Sequence, residues 1–322
     1  MHFMEVLVSE VNLNPVKSMR MQPDVTALEV DSDGLFGDRQ YMVVEAAEHV
    51  HTTYKPGTVA EPGRFLSQRE DPALTSFTPL PRRYGVELQW MQDRHSDTLF
   101  VPRVEDTRAT RIPVSVWGWR GDAVDQGDHA AEFVSETVGR AVRFVELSRA
   151  LPRYVEADPS LGKVGFADGI PLLVFSRASV AKVNEWLKEA GKPTVPADRF
   201  RGNIILDGIE AFEEDYIESI EVVHNGMKMV LERWKPCGRC PMPDTDQQTG
   251  ERRTDLRRKN VLGRRKGTYA DARYSGEEIF FGQQFIIRLP EDMPEGAVIP
   301  IRTGDTLQAK RSDTTNWVRV AA

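Results

Sequence analysis

Thr26-Ala-Leu-Glu-Val-Asp-Ser-Asp-Gly34 is the stretch on which the fold class turns. Thr26 to Val30 alternates, and Asp31 to Gly34 carries turn chemistry, so it reads as a strand entering a tight turn. The same signature spreads outward on both sides. Met4 to Val11 is rich in Val and Leu, and Tyr41 to Val44 and Val86 to Trp90 are further short strands. Short strands separated by Gly/Pro turns predict a barrel or sandwich. Pro56 to Pro62 reads as an exposed loop between them. Two helices interrupt the pattern. One runs from Asp128, as its cap, to about Arg140, with Ala131, Val134 and Val138 on one face. The other starts at Ser176 or Arg177, with Val180, Val183, Trp186 and Leu187 inward. Gly191 closes it and Pro193 prevents its continuation. Strands follow at Asn203 to Leu206, Ile220 to Val223, Lys228 to Glu232, Phe285 to Leu289 and Val298 to Ile301. No repeat of fixed period is present. The fold class expected is mainly β with a few helices (α+β), in two parts, with a boundary between Leu147 and Asp158.

A chain of 322 residues with 40% hydrophobic and 28% charged residues is ordinary for a soluble globular protein of about two domains. The longest clear apolar run, Ile170 to Phe175, is far shorter than a membrane span. The start lacks the basic-then-apolar pattern of a signal peptide. Two cysteines argue against a secreted disulfide framework, so a cytoplasmic location and no membrane association are expected. The balance of 42 basic against 49 acidic residues disfavours a nucleic-acid partner. Arg252 to Arg273 departs from that balance, with Arg257, Arg258, Lys259, Arg264 and Arg265 among its cations. It reads either as a solvated connection or as a dock for an acidic partner.

Lys235-Pro-Cys-Gly-Arg-Cys-Pro-Met-Pro-Asp-Thr-Asp-Gln-Gln-Thr-Gly250 holds both cysteines, Cys237 and Cys240, on a backbone that prolines keep extended. A thioredoxin-like dithiol needs its first Cys at a helix N-terminus, and Pro241 and Pro243 oppose a helix there. A structural zinc site needs about four ligands, whereas the six histidines form no tight pair beyond His49 and His51. Two packed thiols remain possible in principle. So does a single thiolate ligand to a soft redox metal carried by an organic cofactor. An anionic cofactor tail would call for clustered cations. Lys17 and Ser18 after the first strand, Arg39 before the next, and Arg199 and Arg201 farther on are candidates; each alone is weak, and such residues at strand ends are more often surface decoration.

Taken together and in this order, these segments resemble proteins with the MOSC (molybdenum cofactor sulfurase C-terminal) domain preceded by its N-terminal β-barrel partner. They are most similar to the amidoxime-reducing component of mitochondria and its bacterial counterparts. The resemblance covers nearly the whole chain. It rests on Asn14-Pro-Val-Lys-Ser18, Gly37-Asp-Arg-Gln-Tyr-Met-Val43, Phe65-Leu-Ser-Gln-Arg-Glu-Asp-Pro-Ala-Leu74, Phe166-Ala-Asp-Gly-Ile-Pro-Leu-Leu173, Asp198-Arg-Phe-Arg-Gly-Asn-Ile-Ile205, the cysteine segment and Phe281-Gly-Gln-Gln284. The cysteine segment and the Arg-x-Asn strand are its most specific pair.

The resemblance implies two β-barrel-like domains, a MOSC N-terminal barrel over residues 1–148 and a cofactor-binding MOSC domain over residues 149–322. It also implies a molybdenum cofactor (molybdenum–molybdopterin) between them. Cys240 would be the metal ligand, with Lys17, Ser18 and Arg39 on the cofactor phosphate and Arg201 and Asn203 on the pterin. Arg239 would steady the ligand, Asp168 would serve catalysis by relaying a proton, and Cys237 would be a spare thiol. The implied reaction is reduction of N-hydroxylated compounds. No further cysteine is present for an iron–sulfur cluster, so electrons would come from a separate ferredoxin, flavoprotein or haem protein. The sulfurase relatives imply an alternative, a carrier of the cofactor or of a Cys240 persulfide. Met19, Gly169, Ile170 and Pro241-Met-Pro243 depart from the family pattern, which bears on substrate preference.

Overall fold

The computed structural model describes residues 2–46, 63–105, 109–256, 261–271 and 276–320. The expected loop Pro56 to Pro62, the His49/His51 pair and Arg257, Arg258, Lys259 and Arg273 lie outside them.

Seven strands close into a barrel. Around the ring they are Leu172–Ser176, Ile204–Asp207, His2–Val11, Thr306–Arg311, Ile217–His224, Met227–Gly238 and Glu277–Arg288, and the last pairs back onto the first. Closure removes the free edges of a sheet. Leu172–Ser176 and Ile204–Asp207 are parallel, and the helix Arg177–Glu189 makes the crossover between them. The barrel interior is apolar, with Val8, Leu206, Ile220 and Leu231 fully buried in one cluster. Burying such a side chain stabilises by about 1.5–3 kcal/mol. Period-two alternation alone would send Glu10 and not Val11 toward that core. A bulge between Val8 and Glu10 shifts the register, and Val11 is buried.

A half-barrel stands beside it. It combines a four-stranded sheet, in the order Tyr41–Glu45, Val142–Leu147, Trp119–Asp125, Arg111–Val116, with the meander Phe77–Arg82, Gly85–Gln92, His95–Pro102. The helix Asp128–Val138 covers its core through Ala130 and Val134. The stretch before residue 148 supplies strands to both bodies. The first strand is a barrel stave, and Ala27–Asp31, the strand of the opening stretch, pairs with Ile299–Arg302 and Gly34–Leu35.

The second helix has the expected cap, Ser176 Oγ accepting from Ser179 N at 3.0 Å, with Val180, Val183 and Leu187 buried. The first helix differs. Gly127 occupies the cap position, and Asp128 is drawn instead into a 2.7 Å ion pair with Arg143. Left-handed Gly139 ends this helix before Arg140. Two strands are also longer than expected. Met227–Gly238 and Glu277–Arg288 run on to the cysteine segment, and bulges at Arg233/Lys235 and Pro236/Gly238 break the alternation that would have revealed them. No helix among the described residues is long and apolar enough to cross a membrane.

Candidate functional site

A cavity of about 530 Å³ opens where the barrel meets the half-barrel. Lys17, Ser18, Arg39, Asp168, Arg201, Asn203, Arg239 and Cys240, the site residues singled out from the sequence, all line it. Its wall is strained. Ser18, Arg39, Trp117 and Arg201 hold positive φ angles of 67°, 48°, 54° and 54°. Non-glycine residues in that region cost about 1–3 kcal/mol each, and such strain concentrates at functional sites. The wall is also drawn tight. A Cβ at Gly165 would lie 2.4 Å from the Asp38 carbonyl, and glycine lets Phe166 N donate to Arg39 O at 2.7 Å. That contact sets Asp168 opposite Lys17.

Cations dominate the lining. Lys17, Arg39, Arg69, Arg201, Lys235 and Arg239 face the carboxylates of Asp168 and Glu278. Lys17 is buried, donates to Phe166 O at 2.9 Å, pairs with Asp168 and lies 4.5 Å above the Phe65 ring. Burial pushes its pKa down to about 8 despite the Asp168 carboxylate, and the charges of Arg39 and Arg153 add to the fall. Arg201 is lowered to about 9 by burial and then by Arg39. These cations therefore destabilise one another, a condition an anion would relieve. Burial works to raise the Asp168 carboxyl, but Lys17, Arg69 and a hydrogen bond from Trp117 outweigh it and hold it well below the usual carboxylate range. Asp168 is thus a carboxylate at neutral pH, and the pair's proton sits on Lys17.

Asn203 is saturated by the protein. Its Nδ2 donates to Asn12 O at 3.3 Å and Asp38 Oδ1 at 3.1 Å. Its Oδ1 accepts from Leu173 N at 3.2 Å and Arg39 Nη1 at 3.4 Å. That uses both donors and both acceptor sites of a carboxamide. Asn203 therefore orients Arg39 and Asp38, and Arg39 also pairs with Asp38. Arg201 Nη1 donates to Met19 O at 2.7 Å and Gln247 Oε1 at 3.1 Å, joining the Lys17 segment to the turn after the cysteines.

The cysteines differ in setting. Cys237 is buried, burial pushes its thiol up, and Arg239 Nη1 lies 3.3 Å from its sulfur. Cys240 is partly exposed and lines the cavity. Arg239 thus engages Cys237 and, through Nη2, Phe200 O at 3.0 Å. The cysteine segment is anchored by Asp246, which accepts from Gln248 N and Thr249 N and pairs with Arg199.

The described part of the basic run is engaged with the protein. Arg252 donates to Arg69 O, Arg253 pairs with Asp255, Arg264 with Glu189, and buried Arg265 with Asp215. Sequence reasoning missed Arg69, Trp117, Tyr269 and Glu278 in the lining. Arg69 lies inside the Phe65 to Leu74 segment, where its position was visible but its role was not. Glu278 lies in an extension of its strand that alternation hides; a Cβ at Gly238 would meet its Oε2 at 1.5 Å, so a side chain there would have to displace this exposed carboxylate.

The cavity draws its lining from both of the regions that match a family model. Residues 5–141 match the MOSC N-terminal beta barrel domain and residues 162–308 match the MOSC domain. The chain belongs to the MOSC-domain proteins that carry this N-terminal barrel. It is 28% identical over 255 residues to mitochondrial amidoxime reducing component 2 of Bos taurus, covering 76% of this chain and 67% of that protein. It is 22% identical over 299 residues to mitochondrial amidoxime-reducing component 1 of Homo sapiens, covering 90% and 81%. It is 26% identical over 269 residues to the molybdenum cofactor sulfurase of Bos taurus, covering 78% of this chain but 28% of that one. The chain thus spans little more than a quarter of the sulfurase.

Proposed function

We propose that the protein binds the molybdenum cofactor in this cavity and reduces N-hydroxylated compounds with electrons from a separate donor protein in the cytoplasm. One observation carries the reading: Cys240 opens onto the same cavity as Lys17, Arg39 and Arg201. The donor set fits the group, because mutually repelling buried cations suit an anionic tail and a partly exposed thiol suits a soft metal. Lys17, Ser18 and Arg39 would hold the phosphate, Arg201 would face the pterin, Asn203 would fix Arg39, and Cys240 would be the metal ligand. When bound, the cofactor would supply two-electron redox chemistry at its metal. Reduction of R–NHOH to R–NH2 and water consumes two electrons and two protons. Asp168, which lines the cavity, would relay a proton to the N–O bond as it breaks.

Protein made in a cofactor-synthesising host is expected to carry stoichiometric molybdenum. Cys240→Ala should lose reductase activity, whereas Cys237→Ala should keep most of it. Full activity without Cys240 would refute the assignment. The likeness to the sulfurase favours a second reading, a carrier that binds the cofactor or a Cys240 persulfide and passes it on. Loaded protein that turns over no N-hydroxylated compound with ferredoxin, flavoprotein or haem donors would select it.

A further inference from the structure

The strands Arg111–Val116 and Trp119–Asp125 are joined by two residues, Trp117 and Gly118, closed by the Val116–Trp119 pair. Two-residue hairpin turns place glycine where φ is positive. Here Trp117 holds the positive φ, 54°, and Gly118 does not. For so bulky a residue this is a real outlier, costing about 1–3 kcal/mol. Burial does not compensate it, because Trp117 remains 50% exposed. Its surroundings explain its position better. Trp117 lines the cavity, stands edge-on to Phe65 with centroids 5.2 Å apart, and lies 4.7 Å from the Arg69 guanidinium. Phe65 lies under Lys17, Arg69 reaches Asp168 at 3.6 Å, and Asp168 pairs with Lys17. These contacts form a closed ring that holds a half-exposed indole beside the Lys17–Asp168 pair.

We infer that Trp117 is a specificity-determining residue, a platform on which a flat aromatic substituent of the substrate stacks while the polar head faces Asp168. The identity of that head rests on the proposed reductase reading; the platform does not. The hairpin's strain keeps the ring at the cavity, where a glycine in its place would relax the turn and leave a gap.

The test compares benzamidoxime with acetamidoxime, which share a head group and differ in the ring. Each is titrated calorimetrically into the full-length, cofactor-loaded protein with no electron donor, so that binding is read without turnover. The wild-type chain should prefer benzamidoxime about 3- to 10-fold, the range of one aromatic stacking contact. Trp117→Phe should retain most of that preference, and Trp117→Ala should erase it. Trp117→Gly should erase it as well and raise Tm by relieving the turn. The inference is overturned if the wild-type chain shows no preference, if Trp117→Ala keeps it, or if Trp117→Gly lowers Tm, which would make Trp117 a packing residue. Failure of the reductase reading would appear separately, as binding without reduction by any donor.

Discussion

Two clusters of buried charge lie on this barrel, and they are built to opposite ends. Asp215 accepts from Arg265 Nη2 at 2.5 Å, Gln283 Nε2 at 2.7 Å and Trp317 Nε1 at 3.3 Å. Arg265 spends its Nε on Phe280 O at 2.9 Å, and its guanidinium lies 3.9 Å from the Phe212 ring. Charge meets charge, and the neighbouring Glu214 carboxyl is raised to about 7 by burial and then by Asp215. At the cavity, cations outnumber carboxylates and depress one another, on a backbone strained at four positions. Burial of charge therefore does not mark a site by itself. An uncompensated excess of one sign on an open wall does.

The largest effect that could break this contrast is expected at the balanced cluster. Asp215→Ala would leave Arg265 buried and unpaired, which costs about 3–5 kcal/mol in comparable buried pairs. Denaturant titration should show that loss. Sulfate binding at the cavity should not change, because Asp215 is no part of its lining. A smaller effect of opposite sign is expected at Lys17. Lys17→Met removes a cation that burial already disfavours, so cofactor-free protein should keep its stability or gain up to about 3 kcal/mol, while sulfate affinity falls. If Lys17→Met destabilises the chain as much as Asp215→Ala, both clusters are structural and the distinction is lost.

The parts of this contrast were unequally legible in the sequence. Strands announced by alternation or by turns, such as Ala27–Asp31 and Tyr41–Glu45, were readable because one face of each meets the core. The outer halves of Met227–Gly238 and Glu277–Arg288 were not, because bulges destroy the period there. For the site, residue type and order pointed to Lys17, Arg39, Arg201 and Cys240 through family resemblance, and the cavity brings them together. What no local pattern carries is which partner each group finds across the fold. Asn203 is spent on Arg39 and Asp38, Arg239 on Cys237, and the proton of the Lys17–Asp168 pair rests on the lysine. Trp117 escaped notice for a related reason. A tryptophan before a glycine reads as an ordinary hairpin tip, and only the backbone shows that the wrong residue of the two takes the left-handed angle.

The smallest effect, and the one that sharpens the contrast most, is the pH response of the cofactor-free protein. Lys17 titrates near 8 in the fold against 10.5 ordinarily. Between those values the unfolded chain holds a proton that the folded chain has released. Stability contributed through this group therefore rises with pH across that window, and the penalty is full below about pH 8. Anion binding runs the other way, since the charge that attracts sulfate disappears as pH climbs through 8. Sulfate affinity should fall toward tenfold per pH unit above that point if binding requires the ammonium. The two trends should be measured on one preparation, by denaturation and by calorimetry, and both should weaken in Lys17→Met, with the remainder near pH 9 coming from Arg201. If sulfate affinity stays flat from pH 7.5 to about 9.5, Lys17 does not supply the cavity's anion-binding charge.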